Sequence, residues 1–210
     1  MQPLQFPEIE ALMEAGEPVC ISFEAGKEAS EASSLLFCEM VRKAGFGESF
    51  RVSSQRCLAG AYVLGLSEIP PSEYYLKSGR YLDRNSAEKA ALGLPRIQRK
   101  YRFIKIEPLS KNCGKFDLLL LFLKPEKAMR VVQAFAYAKG ARVGVDTIGA
   151  ASICGDCTAR ALKTGLGLSF GCKGSRKHCG YEDTELPLGI AFEHLNRLEL
   201  GLLKLPKTLA

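Results

Sequence analysis

Eight cysteines in a chain of 210 residues are the side chains best suited to chemistry here, and their spacing narrows what that chemistry is. Cys154 and Cys157 stand in CGDC, three residues apart. At the start of a helix both thiols would face one side and could clasp a metal ion. The same spacing serves a redox dithiol whose first thiolate is stabilised by the helix N-terminus. A structural zinc site takes a second closely spaced pair of ligands, and this chain has no second CxxC. Cys172 and Cys179 are seven apart, and Cys57 is remote in sequence. An iron–sulfur cluster tolerates that dispersion, because its thiolates can come from separate loops and glycine-rich backbone offers N–H groups to its sulfides. The expected metal or iron–sulfur ligands are therefore Cys57, Cys154 and Cys172, with Cys157 as fourth. The plain alternative is buried, inert thiols. Cys20 and Cys38 fall on predicted core faces, where free cysteine packs as a small hydrophobe, and Cys113 falls in a polar turn.

The second candidate is the stretch GLGLSFGCKGSRKHCGY, from Gly165 to Tyr181, which follows an apolar strand with glycines, cations and two cysteines. Glycine lets backbone approach a ligand, and Ser175 could cap a following helix. That helix N-terminus beside Lys173 and Arg176 would suit a phosphate or carboxylate. The expected anion-binding residues are Gly171, Lys173, Gly174, Ser175 and Arg176, and the competing reading is a solvated turn. The loop is neither a Walker sequence nor a GxGxxG turn. With two histidines in the chain, a histidine-rich metal site is excluded. A second basic run, Arg96, Arg99, Lys100, Arg102 and Lys105, interleaves Tyr101 and Phe103 as an RNA surface would, but a half-buried strand has the same pattern. No serine-hydrolase elbow, HExxH or kinase signature occurs.

Composition sets what must hold these residues. The chain is 47% hydrophobic and 25% charged, the balance of an ordinary globular protein, and buries about 70% of its unfolded surface at this length. It does not need disulfides for stability, so in a reducing cytosol its cysteines read as core, reactive thiols or ligands. The N-terminus has no basic and apolar leader pattern, which places the protein in the cytoplasm. The longest strongly apolar run, Leu118 to Leu123, is far short of the roughly 20 residues that span a bilayer. Lys and Arg number 29 against 23 Asp and Glu, and the formal charge of +6 without a dense basic block argues weakly for a small anionic ligand and against nucleic acid or membrane.

The pattern predicts strands over 18–24, 50–54, 101–107, 117–123, 141–146, 165–171 and 185–192. It predicts helices over 33–44, from about Ser86, over 125–138, over 150–163 and from about Phe192, with a buried helical or irregular stretch over 56–66. Pro125 fits a first helical turn and Gly140 a helix end. The stretch 71–95 otherwise reads as a polar surface connection. The expected fold is a single domain, 1–210, of α/β or α+β class: a mixed sheet with flanking helices. Strand, helix, glycine break, strand and cysteine-led segment recur in halves 17–70 and 115–165, an echo that would place Cys57 and Cys154 in related positions.

CEMVRKA (38–44), CLAGAYVLGL (57–66), PRI at Pro95, AMRVVQAFAYAKGARV (128–143) and GCKGSRKHCGY (171–181) together resemble the prokaryotic family called domain of unknown function 169. The resemblance extends over nearly the whole chain. It implies the family's fold and a cytosolic, anaerobic setting of the kind found in methanogens, and no particular reaction. On this sequence the family-like cysteines are Cys57, Cys154 and Cys172, while Cys157 and Cys179 are less typical of it.

Overall fold

Six aliphatic-rich segments pair into one antiparallel sheet, and their alternation decides which helices cover each face. A computed structural model describes residues 4–26, 33–98, 100–112 and 114–206. The strands are β1 (Val19–Glu24), β2 (Phe50–Val52), β3 (Phe103–Pro108), β4 (Leu118–Leu123), β5 (Leu166–Leu168) and β6 (Leu186–Ala191), in the order β2-β3-β1-β4-β6-β5. Every pairing is antiparallel, as in β1 against β3 with Ile21 opposite Ile106, and β4 against β6 with Leu120 opposite Gly189.

Because side chains alternate across a strand, β4 feeds two cores. Leu119, Leu121 and Leu123 join Cys20, Leu188 and Ile190 on one face. There they meet the helices α1 (Pro7–Glu10), α6 (Pro125–Lys139) and α9 (Phe192–Lys204). Leu118, Leu120 and Phe122 join Ile21, Ile104 and Ile106 on the other. This second face is covered by α2 (Phe37–Ala44), α3 (Leu58–Val63), α4 (Ser72–Lys77), α5 (Arg84–Leu92) and a π-helix (Ser152–Arg160) running into α7 (Ala161–Thr164). The result is a three-layer sandwich of mixed α and β class, with the sheet in the middle.

The π-helix is the element that matters for the site. Gly167 and Gly189 face each other across β5 and β6, and a Cβ on Gly167 would overlap the Asp156 carbonyl oxygen. A Cβ on Gly189 would likewise overlap the carbonyl oxygen of Cys157. Two bare positions in adjacent strands thus admit the helix backbone directly onto the sheet. The chain enters this helix through Ala151 at φ 52°, a left-handed conformation that is unusual for a residue with a Cβ. The helix is held from outside as well: Asp156 Oδ2 accepts from Thr147 Oγ1 at 2.5 Å and from Ser169 Oγ at 2.7 Å. Burial raises the Asp156 pKa, although both hydroxyls oppose the rise.

Several elements differ from the sequence reading. Residues 141–146 form no strand, so the echo between the two halves lacks a counterpart of β2. The segment 71–95 carries α4 and α5 rather than a bare connection, and Asp83 caps α5 by accepting the Ser86 N–H at 2.7 Å. Helix α2 begins one turn later than predicted, at Phe37, where Glu39 reaches back to the Leu36 N–H at 2.6 Å. The CGDC stretch adopts a π-helix instead of the expected α-helix. Cys113 and Arg99 lie outside the described residues. Among those described, no helix is long and apolar enough to cross a membrane.

The glycine cradle is testable. Gly189→Ala should cost more than about 4 kcal/mol in urea unfolding, the range reserved for severe core disruption. Gly114→Ala, where a Cβ meets open space, should stay within about 0.5 kcal/mol. Equal costs would show that the cradle does not constrain the fold.

Candidate functional site

Two helices and a π-helix end on one cleft of about 450 Å³, and each brings a cysteine to it. Cys57 is the N-cap of α3, its sulfur accepting the Gly60 N–H at 3.5 Å. Cys172 is the N-cap of α8 (Lys173–His178), its sulfur accepting the Ser175 N–H at 3.3 Å. Cys154 sits in the first turn of the π-helix. Cys38, in the first turn of α2, adds a fourth thiol to the lining. Three of the four expected ligand cysteines, Cys57, Cys154 and Cys172, therefore meet, although they are widely separated along the chain. Cys157 does not line the cleft. Its thiol is buried and donates to the Pro187 carbonyl at 3.1 Å, on the sheet side of the π-helix. The π geometry is the reason that the two CGDC thiols diverge.

The four thiols are not equivalent. Burial raises the pKa of Cys57, outweighing its backbone hydrogen bond from Gly60. Burial raises Cys154 still more, helped by the neighbouring Cys57, Cys172 and Cys38. At Cys172 burial also acts upward, but hydrogen bonds from the backbone and side chains of Ser152 and Ser175 win, and the pKa falls below the ordinary thiol value. Cys179, beneath the cleft, is raised by a hydrogen bond with Cys38 and then by burial. Among the described residues, no group of three or more His, Cys, Asp or Glu is arranged to hold a metal ion.

The rest of the lining is apolar and cationic. Phe37, Leu58, Ala59, Tyr74 and Ile153 form walls, and Arg56, Arg80, Lys173, Lys177 and His178 supply positive or protonatable groups. Among the described residues, no carboxylate lines the cleft. Two enclosed polar atoms on lining residues, Gln55 Nε2 and Tyr75 Oη, have no hydrogen-bond partner among the described residues. Tyr75 is 1% exposed, and the Gln55 amide lies against Gly60 where any Cβ would collide with it. A buried donor left unpaired costs about 1–3 kcal/mol, so both atoms are poised to take an acceptor.

The predicted anion loop divides. Lys173, Gly174 and Ser175 line the cleft. Arg176 does not. Its guanidinium donates to the carbonyls of Phe170, Glu182 and Glu185 at 2.7 to 3.1 Å and stacks 4.5 Å above the Tyr181 ring. Gly171 serves the turn rather than a ligand: at φ 93° its missing Cβ leaves room for the Tyr181 hydroxyl. Ser175 is a structural node as well. Its Oγ lies 3.1 Å from Ser152 Oγ and 2.8 Å from Tyr181 Oη, and it accepts the Cys172 N–H at 2.9 Å. The helix of this loop starts at Lys173, capped by Cys172 rather than by Ser175.

Cys38, Gln55 and Tyr75 were missed in the sequence. Cys38 follows an apolar stripe and packs partly buried against the core, yet it also lines the cleft. Nothing local marks Gln55 or Tyr75. In the second basic run, Arg96 is bound to the Tyr62 and Ser67 carbonyls and to Glu68, while Tyr101 and Phe103 are buried rather than displayed.

The comparisons with known proteins match this molecule as a whole. The model of the DUF169 family, described as uncharacterised ArCR, matches residues 9–201, and the chain belongs to that family. An uncharacterised protein of Methanocaldococcus jannaschii, MJ0308, is 29% identical over 167 residues, covering 75% of this chain and 72% of its own. No solved structure matches.

Thiol reactivity tests the electrostatic ranking. Brief iodoacetamide treatment of the folded protein should label Cys172 first, with an apparent pKa below that of an ordinary thiol, and leave Cys154 and Cys157 unlabelled. Because the folded pKa is depressed, the matching stability contribution is present above the unfolded value and is lost as pH falls through the folded one. Faster labelling of Cys57 or Cys154 would reverse the ranking.

Proposed function

We propose that the cleft binds a small anionic metabolite, phosphorylated or carboxylated, beside the Cys172 thiol. The observation that carries this reading is the composition of one cleft: cationic side chains, no carboxylate among the described residues, apolar walls and a thiol whose pKa is lowered by hydrogen bonds. Phosphate or carboxylate entering there gains charge-assisted hydrogen bonds, and the walls accommodate an apolar body. Lys173 and Lys177 are exposed at the rim, where they attract an anion without being committed to a buried ion pair.

A thermal-shift panel of nucleotides, coenzyme A, acyl-coenzyme A and phosphorylated sugars tests this reading. A true ligand at about a hundred times its Kd adds about 2.7 kcal/mol, hence roughly 5 to 10 °C in Tm for a chain of this size. Lys173→Ala combined with Lys177→Ala should weaken the response about tenfold at low ionic strength and less at high salt. No stabilisation by any member, or an unchanged response in the double variant, would contradict it.

A second reading has one observation in its favour, the arrival of Cys57, Cys154 and Cys172 from distant segments at one cleft. In it these thiols, with Cys38 in the place expected for Cys157, hold a metal or iron–sulfur centre. The side chains as arranged do not chelate a single ion, so this reading requires them to draw together on loading. Protein purified without oxygen would then be brown and contain iron and acid-labile sulfide. Colourless, iron-free protein from the same preparation would remove it.

A further inference from the structure

Resting on the anionic-metabolite reading, we infer that Cys172 is a nucleophile that takes an acyl group from an anionic thioester, with Tyr75 and Gln55 holding the acyl oxygen. The placement of groups around one cleft argues for this chemistry. The Cys172 sulfur is fixed by the Ser175 N–H at 3.3 Å, so the nucleophile is oriented before any ligand arrives. Tyr75 Oη and Gln55 Nε2 belong to the same lining, are enclosed, and lack acceptors among the described residues. A carbonyl oxygen that gains charge during attack is the acceptor such donors stabilise best.

The lining also selects the leaving group. Amide and alkyl-ester chemistry calls for a proton donor to the departing atom, and the described lining holds no carboxylic acid, while its histidine, His178, is exposed at the rim. A thioester needs no such donor. The Cys172 sulfur bonds to the carbonyl carbon, the oxygen carries the charge of the tetrahedral intermediate, and the carbon–sulfur bond to the departing thiol breaks. One thiolate is consumed and one is released, so neither a proton nor an oxidant is required. A thioester whose thiol bears phosphate would place those charges on the Lys173 and Lys177 side of the cleft and its acyl chain along the apolar walls.

Acetyl- and hexanoyl-coenzyme A are the probes. The intact chain is incubated with each, and acylation is followed by peptide mass mapping and by release of free coenzyme A. The expected result is one acyl group on Cys172 with equal thiol release, none in Cys172→Ser, and acylation slowed about a hundredfold in Tyr75→Phe. Serine keeps the helix cap, and matched melting curves verify that each variant is folded. Acylation of neither compound at Cys172, or acylation of another cysteine, overturns the inference. If coenzyme A still raises Tm in that case, the binding reading stands and only the acyl transfer fails. If no member of the wider panel raises Tm, both fall.

Discussion

Everything at the cleft depends on the contact between a π-helix and two facing glycines of the sheet. Gly167 and Gly189 leave no side chain between the β5–β6 ladder and the carbonyls of Asp156 and Cys157. That approach is closer than an ordinary helix–sheet packing permits, since stacked layers normally stand about 10 Å apart with side chains between them. Wider turns then present Cys154 to the cleft and Cys157 to the sheet, although the two are only three residues apart. The cost is visible at the entrance, where Ala151 takes a left-handed conformation. Packing therefore sets the chemistry: the sheet fixes the helix, and the helix fixes which thiol faces a ligand.

A hydrogen-bonded node carries that placement to Cys172. Ser152 opens the π-helix, Ser175 lies in the helix that follows Cys172, and their hydroxyls are 3.1 Å apart, with Tyr181 against Ser175. The same two serines lower the Cys172 pKa. Arg176 secures the outside of the loop by binding three backbone carbonyl positions, and the Arg42–Glu185 ion pair, nearly buried, ties the loop end to α2. These hydrogen bonds, buried at Ser175 and Tyr181 and partly exposed at Arg176, tie the loop to the elements around it. Its remaining cations, Lys173 and Lys177, point their charge to the open side.

Much of this was legible from residue order. The aliphatic runs gave β1, β4 and β6, and Pro125 with Gly140 bracketed α6, whose last glycine is left-handed at φ 69°. Cysteines standing in glycine-rich segments pointed to Cys57, Cys154 and Cys172, and those three share the cleft. What could not be read is tertiary. Residues 141–146 alternate like a strand, yet no neighbouring strand is placed to pair with them, and Val145 is 47% exposed. CGDC looks like an α-helical clasp because spacing says nothing about the glycine cradle that imposes π geometry. Arg176 looks like an anion ligand until the fold brings the Phe170, Glu182 and Glu185 carbonyls to its guanidinium. Gln55 Nε2 and Tyr75 Oη gain meaning only from lacking a hydrogen-bond partner among the described residues of the folded chain.

The central claim is that thiols and cations share one ligand cleft, and protection of the thiols by a bound anion tests it most directly. Maleimide footprinting of the intact chain, with and without saturating coenzyme A, reads Cys57 and Cys172 at once. The account predicts that both become protected together, by about the same factor and at the same ligand concentration, and that in Lys173→Ala, Lys177→Ala protein protection of both shifts together to about tenfold higher ligand concentration at low ionic strength. Unchanged labelling of both thiols under a ligand concentration that raises Tm would place the anion elsewhere and contradict it.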